Sequence, residues 1–427
     1  MPNKKYPWVV VALLWLVALL NYMDRQMLST MRPSMQIDIA ELKSAENFGI
    51  LMAIFLWIYG LMSPVAGMIA DRTNRKWLIV GSLFVWSGVT FAMGFTTSFY
   101  QLYWLRAIMG VSEALYIPAG LSLIADYHTG KTRSLAIGIH MTGLYMGQAL
   151  GGFGATMAAS LSWQSTFMSF GLIGMVYSIV LILFLRESKS SGFGQAKQSG
   201  RQADSPEAGL RGPSALVTAK KASPLEGIRF LFSNPSFWIL LLYFTIPSLP
   251  GWAVKNWLPT LFSETLGIDM ATAGPMATIT TSGSSLIGVL IGGFISDRWV
   301  QKNTRGRVFT SAIGLALTIP ALILIGFGTS LAAILLAAFC FGFGFGLFDA
   351  NNMPILCQLV PSKYRATGYG LMNLTGIFSG ALITDLLGKF SDEGNLSVSF
   401  AWLAAIVIIV LLIQLFFLRP KTIDYAA

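Results

Sequence analysis

Few ionisable side chains in this sequence could do chemistry, and those few stand among apolar neighbours. Asp24 and Arg25 close the stretch NYMDR, and Arg106 and Glu113 lie seven residues apart in YWLRAIMGVSEALYIPAG. On a helix that separation is roughly 10 Å along the axis and nearly one face. Ionisable groups inside an apolar run usually face a cavity or a pathway. A carboxyl held away from water can be kept neutral, so Glu113 could load a proton on one side of a barrier and release it on the other. Asp24 and Arg25 are chain neighbours, so on a helix their side chains diverge by about 100°. The expected division sends Arg25 into a cavity and Asp24 towards Arg106, with protonation of Asp24 freeing Arg106. The plainer reading is that Arg106 and Glu113 pin helices together.

Other polar residues join this set. His140, Tyr145 and Gln148 share one apolar run, where His140 is expected to pack in the core or at a gate rather than relay protons. Lys255, in PGWAVKNWLPTLF, either snorkels outward or adds a second positive group over a cavity, and Asn256 beside it could meet a ligand hydroxyl. Trp252 and Trp257 fit an interfacial aromatic belt better than a ring-stacking platform. The run GFGFGLFDANNMP combines three glycines with Asp349, Asn351, Asn352 and Pro354, as a gating helix would. Asp349 is expected to hold a closed state rather than bind a coupling ion. Asn373 is a further cavity candidate, whereas Asp385 reads as interfacial. Two cysteines and two histidines supply neither a disulfide framework nor a metal cluster. No G-x-x-x-x-G-K-[ST] loop for nucleotide phosphates occurs, which argues against ATP-driven work.

The elements that must position these residues are membrane helices. Of 427 residues 54% are hydrophobic and 11% charged, with a mean hydropathy of +0.65. Soluble domains carry about 25% charged residues. Apolar runs fall at 8–30, 47–70, 77–96, 100–125, 134–158, 164–185, 236–262, 272–296, 307–327, 330–358, 366–388 and 396–418. Each is near the roughly 20 residues that cross hydrocarbon, and a spanning chain must satisfy its backbone internally. The short alternating segments of a β-barrel are absent. The expected fold is an all-α polytopic membrane protein of twelve transmembrane helices in two pseudo-symmetric six-helix bundles, 1–187 and 235–427. A linker, 188–234, joins them, and its end SPLEGIRFLFSNP could form a short amphipathic helix. The first run reads as a retained span rather than a signal peptide.

Charge sets the expected orientation. The net charge of +10 collects in DRTNRK, HTGKTR, the 186–234 segment, DRWVQKNTRGR and PSKYR, while the alternate connections are neutral to acidic. Basic loops stay cytoplasmic, which places both termini and the linker there and makes nucleic acid an unneeded partner. GMIADRTNRK and GGFISDRWVQK repeat a Gly-x-x-x-Asp-Arg pattern, with Asp71-Arg72 and Asp297-Arg298 as gating candidates. Such an Asp can cap a helix N-terminus while its Arg meets a helix C-terminus or a carboxylate. The second copy carries Gln301-Lys302 where the first has Arg75-Lys76, so its tie should be weaker or differently arranged.

Twelve spans, a six-plus-six repeat and this loop signature resemble the major facilitator superfamily. NYMDR, RAIMGVSEALYIPA, WLP and PSKYRATGYGLMNLTG resemble, more narrowly, its anion:cation symporter family, which includes sugar-acid, hexuronate and sialic-acid transporters. That resemblance implies proton-coupled uptake of an organic anion by a monomer in a bacterial inner membrane, without cofactor or metal, by alternating access. It implies proton coupling through Asp24, Glu113 and Arg106. It makes Arg25 the residue that meets the substrate carboxylate and Gln148 a substrate contact, beside Tyr145, Lys255, Asn256 and Asn373. Spinster-like lipid transporters share the Asp-Arg of the first span and the Arg and Glu of the fourth, so an amphiphile carrier competes. A proton-coupled carrier of neutral sugars or peptides is the third possibility.

Overall fold

The computed structural model describes residues 5–128, 132–188, 224–361, 364–420 and 422, all of them helical or connecting. The N-terminal group comprises α1 (Tyr6–Asp38), α2 (Ala45–Arg72), α3 (Arg75–Met93), α4 (Phe99–Ala114), α5 (Tyr116–Tyr127), α6 (Arg133–Gly151), α7 (Gly154–Leu161) and α8 (Trp163–Phe184). After α9 (Pro224–Phe232) come α10 (Pro235–Leu266), α11 (Met270–Val300), α12 (Gly306–Phe327) and α13 (Leu331–Asp349). The chain ends with α14 (Asn352–Leu359), α15 (Arg365–Asp392) and α16 (Leu396–Phe417). Most of the linker, from 189 to 223, lies outside the described residues.

Eleven helical segments among the described residues are long and apolar enough to cross a membrane, so the chain is a multi-pass membrane protein. Two of the eleven, Phe99–Tyr127 and Leu331–Leu359, are each built from two helices joined at a break. The expected fifth span, 134–158, is not among them. It divides into α6 and α7 around Gly152 and Phe153, and α6 carries His140, Thr142, Tyr145 and Gln148. These polar residues lower its apolar content below that of a plain lipid-facing helix.

Close helix approach rests on glycine. Gly143, Gly147, Gly151 and Gly154 face α1, where an added Cβ would strike the carbonyls of Trp15, Leu19, Met23 and Met27 in turn. Without a strong hydrophobic drive inside lipid, such small-residue seams are what let backbones touch. The expected amphipathic helix exists as α9, but it is docked rather than merely lying on a surface. Phe230 stacks on Tyr364 at 4.6 Å, Leu231 is fully buried, and the Tyr364 hydroxyl donates to Glu226 at 2.6 Å.

Among the described residues, the N- and C-terminal helices press backbone to backbone towards one end. There Gly49 lies against the Thr384 and Asp385 carbonyls, and Gly152 and Gly274 press together between α6 and α11. Thr156 donates to the Ala271 carbonyl at 2.7 Å, and Thr278 to that of Ala149 at 3.0 Å. Asp392 fastens the same end. Its Oδ1 accepts from the Ala45 N–H at 2.7 Å, and its Oδ2 from the Ser44 hydroxyl at 2.7 Å and the Glu46 N–H at 2.9 Å. These are the orphan donors at the start of α2, which a carboxylate suits in both hydrogen bonding and charge. Towards the opposite end the groups part. Gly67, Gly138, Gly293 and Gly370, on α2, α6, α11 and α15, have open space where a side chain would stand. Among the described residues, the molecule is closed at the Asp392 end and open at the other.

Candidate functional site

The ionisable residues of the spans form a cluster in the N-terminal group, with Lys255 and Asp349 of the C-terminal group facing it. α4 brings Glu113, fully buried, to α1, where the Arg25 Nε donates to its Oε2 at 2.5 Å. Three rings surround this guanidinium. Tyr22, Phe55 and Tyr59 lie 4.8, 4.8 and 4.5 Å from its carbon, a desolvated cation held by quadrupoles as well as by charge. Arg106 shares the Phe55 ring at 4.6 Å, and its Nη1 donates to the Met109 sulfur at 3.2 Å. Asp24 is 4% exposed, with Arg106 and Thr90 beside it, yet forms no ion pair among the described residues.

Asp24 lies towards Arg106, while Arg25, expected to face a cavity, is engaged by Glu113. The two acids and two arginines do cluster, but the contact is made by Arg25 and Glu113. The 100° divergence of Asp24 and Arg25 holds: one faces α3 and Arg106, the other faces α2 and Glu113. Several polar atoms of the cluster have no protein partner, namely Asn21 Nδ2 and Oδ1, Asp24 Oδ1, Arg25 Nη2, Arg106 Nε and Glu113 Oε1. Asn21 and Thr90 lie beside the two carboxyls, so the cluster combines charge with polar neighbours.

Across the gap, Asp349 and Lys255 represent the C-terminal helices. Asp349, the last residue of α13, is exposed to the space between the groups; its Oδ2 accepts from the Tyr145 hydroxyl at 3.3 Å and its Oδ1 from Asn352 at 3.1 Å. Lys255 lies 4.9 Å over the Trp252 ring within the field of Asp349 and Arg25, without an ion pair among the described residues. A pocket at this level is lined by Gln26, Gln148, Lys255, Thr281, Ser282 and Ser285, with Val254, Phe341 and Phe345 as its apolar wall.

The other candidates are distributed differently. Asn256 donates to Thr384 at 2.7 Å, tying α10 to α15, and Asn373 is half-buried on α15 outside the pocket. Trp257 is neither belt nor platform: it is fully buried, and its indole donates to the Thr384 carbonyl at 3.0 Å. His140 is core, with its Nε2 2.8 Å from the Tyr116 hydroxyl, which donates onward to the Leu14 carbonyl. Asp71 and Arg72 end α2, and their side chains lie outside the described residues; in that loop Arg75 pairs with Asp126. In the second copy Asp297 meets Arg307 at 3.4 Å, and Arg298 lies 3.9 Å over Phe294. Both described ties stay within one helix group. Among the described residues no three metal-binding side chains gather.

Sequence reasoning missed Gln26 and the aromatic cage. Gln26 lines the pocket and donates to the Lys255 carbonyl at 2.7 Å, bridging the groups beside Arg25. Phe55 and Tyr59 stand four apart on α2, and Tyr22 three before Arg25 on α1, spacings that put each pair on one face.

A buried charge cluster between two helix groups, open at one end, is the architecture of a carrier, and the comparisons agree. The profile of the Major Facilitator Superfamily matches residues 14–384. The chain belongs to this superfamily. Membership makes it a secondary transporter of small solutes. It is 27% identical to a gallate transporter of Pseudomonas putida, over 91% of this chain and 86% of that one. It is 22% identical to a D-galactonate transporter of Escherichia coli O6:H1, over 94% and 93%. The fold is also that of a bacterial homolog of the human lysosomal transporter Spinster, in an inward-facing, occupied conformation. That likeness has a TM-score of 0.76 at 19% identity and covers 99% of both chains.

Proposed function

We propose that the protein is a proton-coupled symporter that brings a small organic anion, a sugar acid, uronate or related carboxylate, into the cell by alternating access. The observation that carries this reading is the buried pair of Arg25 and Glu113 at 2.5 Å. The Glu113 carboxylate occupies the guanidinium edge that a substrate carboxylate would need. Protonating Glu113 weakens the pair and frees Arg25, so proton and anion enter together. Charge balance supports the same order. Asp24, Glu113 and Asp349 oppose Arg25, Arg106 and Lys255, three against three, and each proton bound leaves one positive charge for an anion. The named relatives that carry gallate and D-galactonate fit an anionic substrate. Gln148 and Lys255 would hold its body, with Tyr145, Asn256 and Asn373 as the remaining candidates.

The rest of the expected architecture follows as part of this proposal. The α6–α7 segment completes a twelfth crossing, and bundles 1–187 and 235–427 rock about the site with 188–234 as a cytoplasmic linker. Asp71, Arg72, Asp297 and Arg298 act when the open end closes. Loop charge places both termini in the cytoplasm of a bacterial cell, and the carrier works as a monomer.

The test is uptake in proteoliposomes under an imposed pH gradient, with D-galacturonate, D-galactonate, gallate, sialic acid and a lysophospholipid as the panel. Uphill accumulation of a carboxylate, abolished by a protonophore, is expected. Glu113→Gln should keep counterflow exchange and lose uphill uptake; undiminished accumulation by that variant refutes the mechanism. The second reading is an amphiphile carrier. The Spinster homolog shares the fold across both chains, and Val254, Phe341 and Phe345 give the pocket an apolar wall. Uptake of the lysophospholipid in place of every hydrophilic acid decides for it.

A further inference from the structure

Glu113 and Asp349 occupy matching places in a short repeat. Gly110-Val111-Ser112-Glu113-Ala114 runs on to Pro118, and Gly346-Leu347-Phe348-Asp349-Ala350 to Pro354, so both stretches read G-x-x-acid-A-x-x-x-P. The fold treats them alike. α4 ends at Ala114 and α13 at Asp349, and neither proline can donate to the carbonyl four residues back. A Cβ on Gly110 would meet the Phe55 carbonyl of α2, and one on Gly346 the Ser285 carbonyl of α11. Each acid therefore stands at a helix break, beside a glycine that presses its helix against a long neighbour.

We propose that Asp349 is a second proton-binding carboxyl, the C-terminal counterpart of Glu113, and that Tyr145 links its protonation to the separation of the helix groups. This rests on the proton-coupled reading above. The groups that face Asp349 are Tyr145 of α6, Lys255 and Tyr243 of α10, Asn352 of α14 and Tyr369 of α15. Ionised, Asp349 accepts from Tyr145 and Asn352 and balances the charge of Lys255. A charge-assisted bond is roughly twice as strong as a neutral one, so Asp349 holds Tyr145 across the gap most firmly when ionised. When a proton from the water of the open cavity binds the carboxylate, that hold weakens and Lys255 gains an uncompensated charge for the incoming anion. Release of the proton on the other side restores the Tyr145 tie. Glu113 and Arg25 perform the same exchange in the N-terminal group, so each group carries one acid-cation switch.

The experiment measures protons moved per anion from the reversal potential of D-galacturonate flux in proteoliposomes holding the full chain. Asp349→Asn is expected to lower that number by one relative to the parent while counterflow persists, and Asp349→Glu to restore it. An unchanged number in Asp349→Asn overturns the inference and leaves the proton-coupled reading standing. Absence of proton-linked uptake by the parent chain removes both. Should Asp349→Asn fail to fold, infrared difference spectra of the parent and Asp349→Glu chains between acid and neutral pH read the carboxyl directly. A protonated-carboxyl band that shifts with the Glu substitution supports the assignment, and identical bands overturn it.

Discussion

Removing the Asp392 carboxylate should loosen the closed end. Asp392 takes three hydrogen bonds from the start of α2, two from backbone N–H groups and one from Ser44, all between 2.7 and 2.9 Å. Helix caps contribute about 0.5–2 kcal/mol, and a charge at a helix N-terminus about 0.3–1 kcal/mol at low ionic strength. Asp392 is exposed, so salt screens the charge and water replaces the bonds when the end opens. The net contribution to closure is then about 0.5–1.5 kcal/mol, a two- to twelve-fold shift in the ratio of closed to open molecules. Asp392→Ala should show the whole shift. Asp392→Asn keeps one acceptor oxygen and should show part of it. Spin labels at Ile37 and Val398, exposed residues near that end, report the opening as a longer distance, in a chain with Cys340 and Cys357 replaced by serine. Raising the salt should narrow the gap between the parent and Asp392→Asn. A distance distribution identical in the parent and Asp392→Ala would refute the idea that this cap holds the groups together.

Two further outcomes follow from the packing and the charge cluster. Gly147→Ala puts a methyl against the Leu19 carbonyl, and such overpacking costs about 1–3 kcal/mol, read as a lower unfolding temperature in detergent. An unchanged midpoint would mean that α1 and α6 do not pack this closely. Asp24→Asn should leave anion binding intact and abolish proton-driven accumulation, since it removes an acid that lies beside Arg106 without pairing to it. Unchanged uphill uptake in that variant sinks the role given to Asp24.

The contact of Arg25 with Glu113 was not legible in the sequence. The apolar run 8–30 puts Arg25 near its end, whereas the helix continues to Asp38, so Arg25 lies well inside it and reaches Glu113. Apolar content marks where a helix enters lipid and not where its hydrogen bonding stops, and Arg32 beyond the apolar run is still helical, donating to the Leu42 carbonyl at 3.0 Å. The fifth span is less apolar for the converse reason: the core residue His140 and the pocket residue Gln148 interrupt its apolar run.

By itself, the sequence determined the class of the molecule and the inventory of its site. Long apolar runs must become helices, since lipid offers no hydrogen bonds to a bare backbone. Charges retained in those runs, from Asp24 to Asp349, must gather where lipid is absent. Pro118 and Pro354 follow helix breaks, yet Pro33, Pro64 and Pro320 sit inside unbroken helices, so proline alone does not fix where a helix stops. Only the tertiary structure decided which charge meets which, that Trp257 is core, that Gln26 bridges the groups, and which end is closed. Those outcomes depend on helix rotation, depth and crossing. They are set by glycine seams and by caps such as Asp392 on α2, which join residues hundreds of positions apart and leave no periodic trace along the chain.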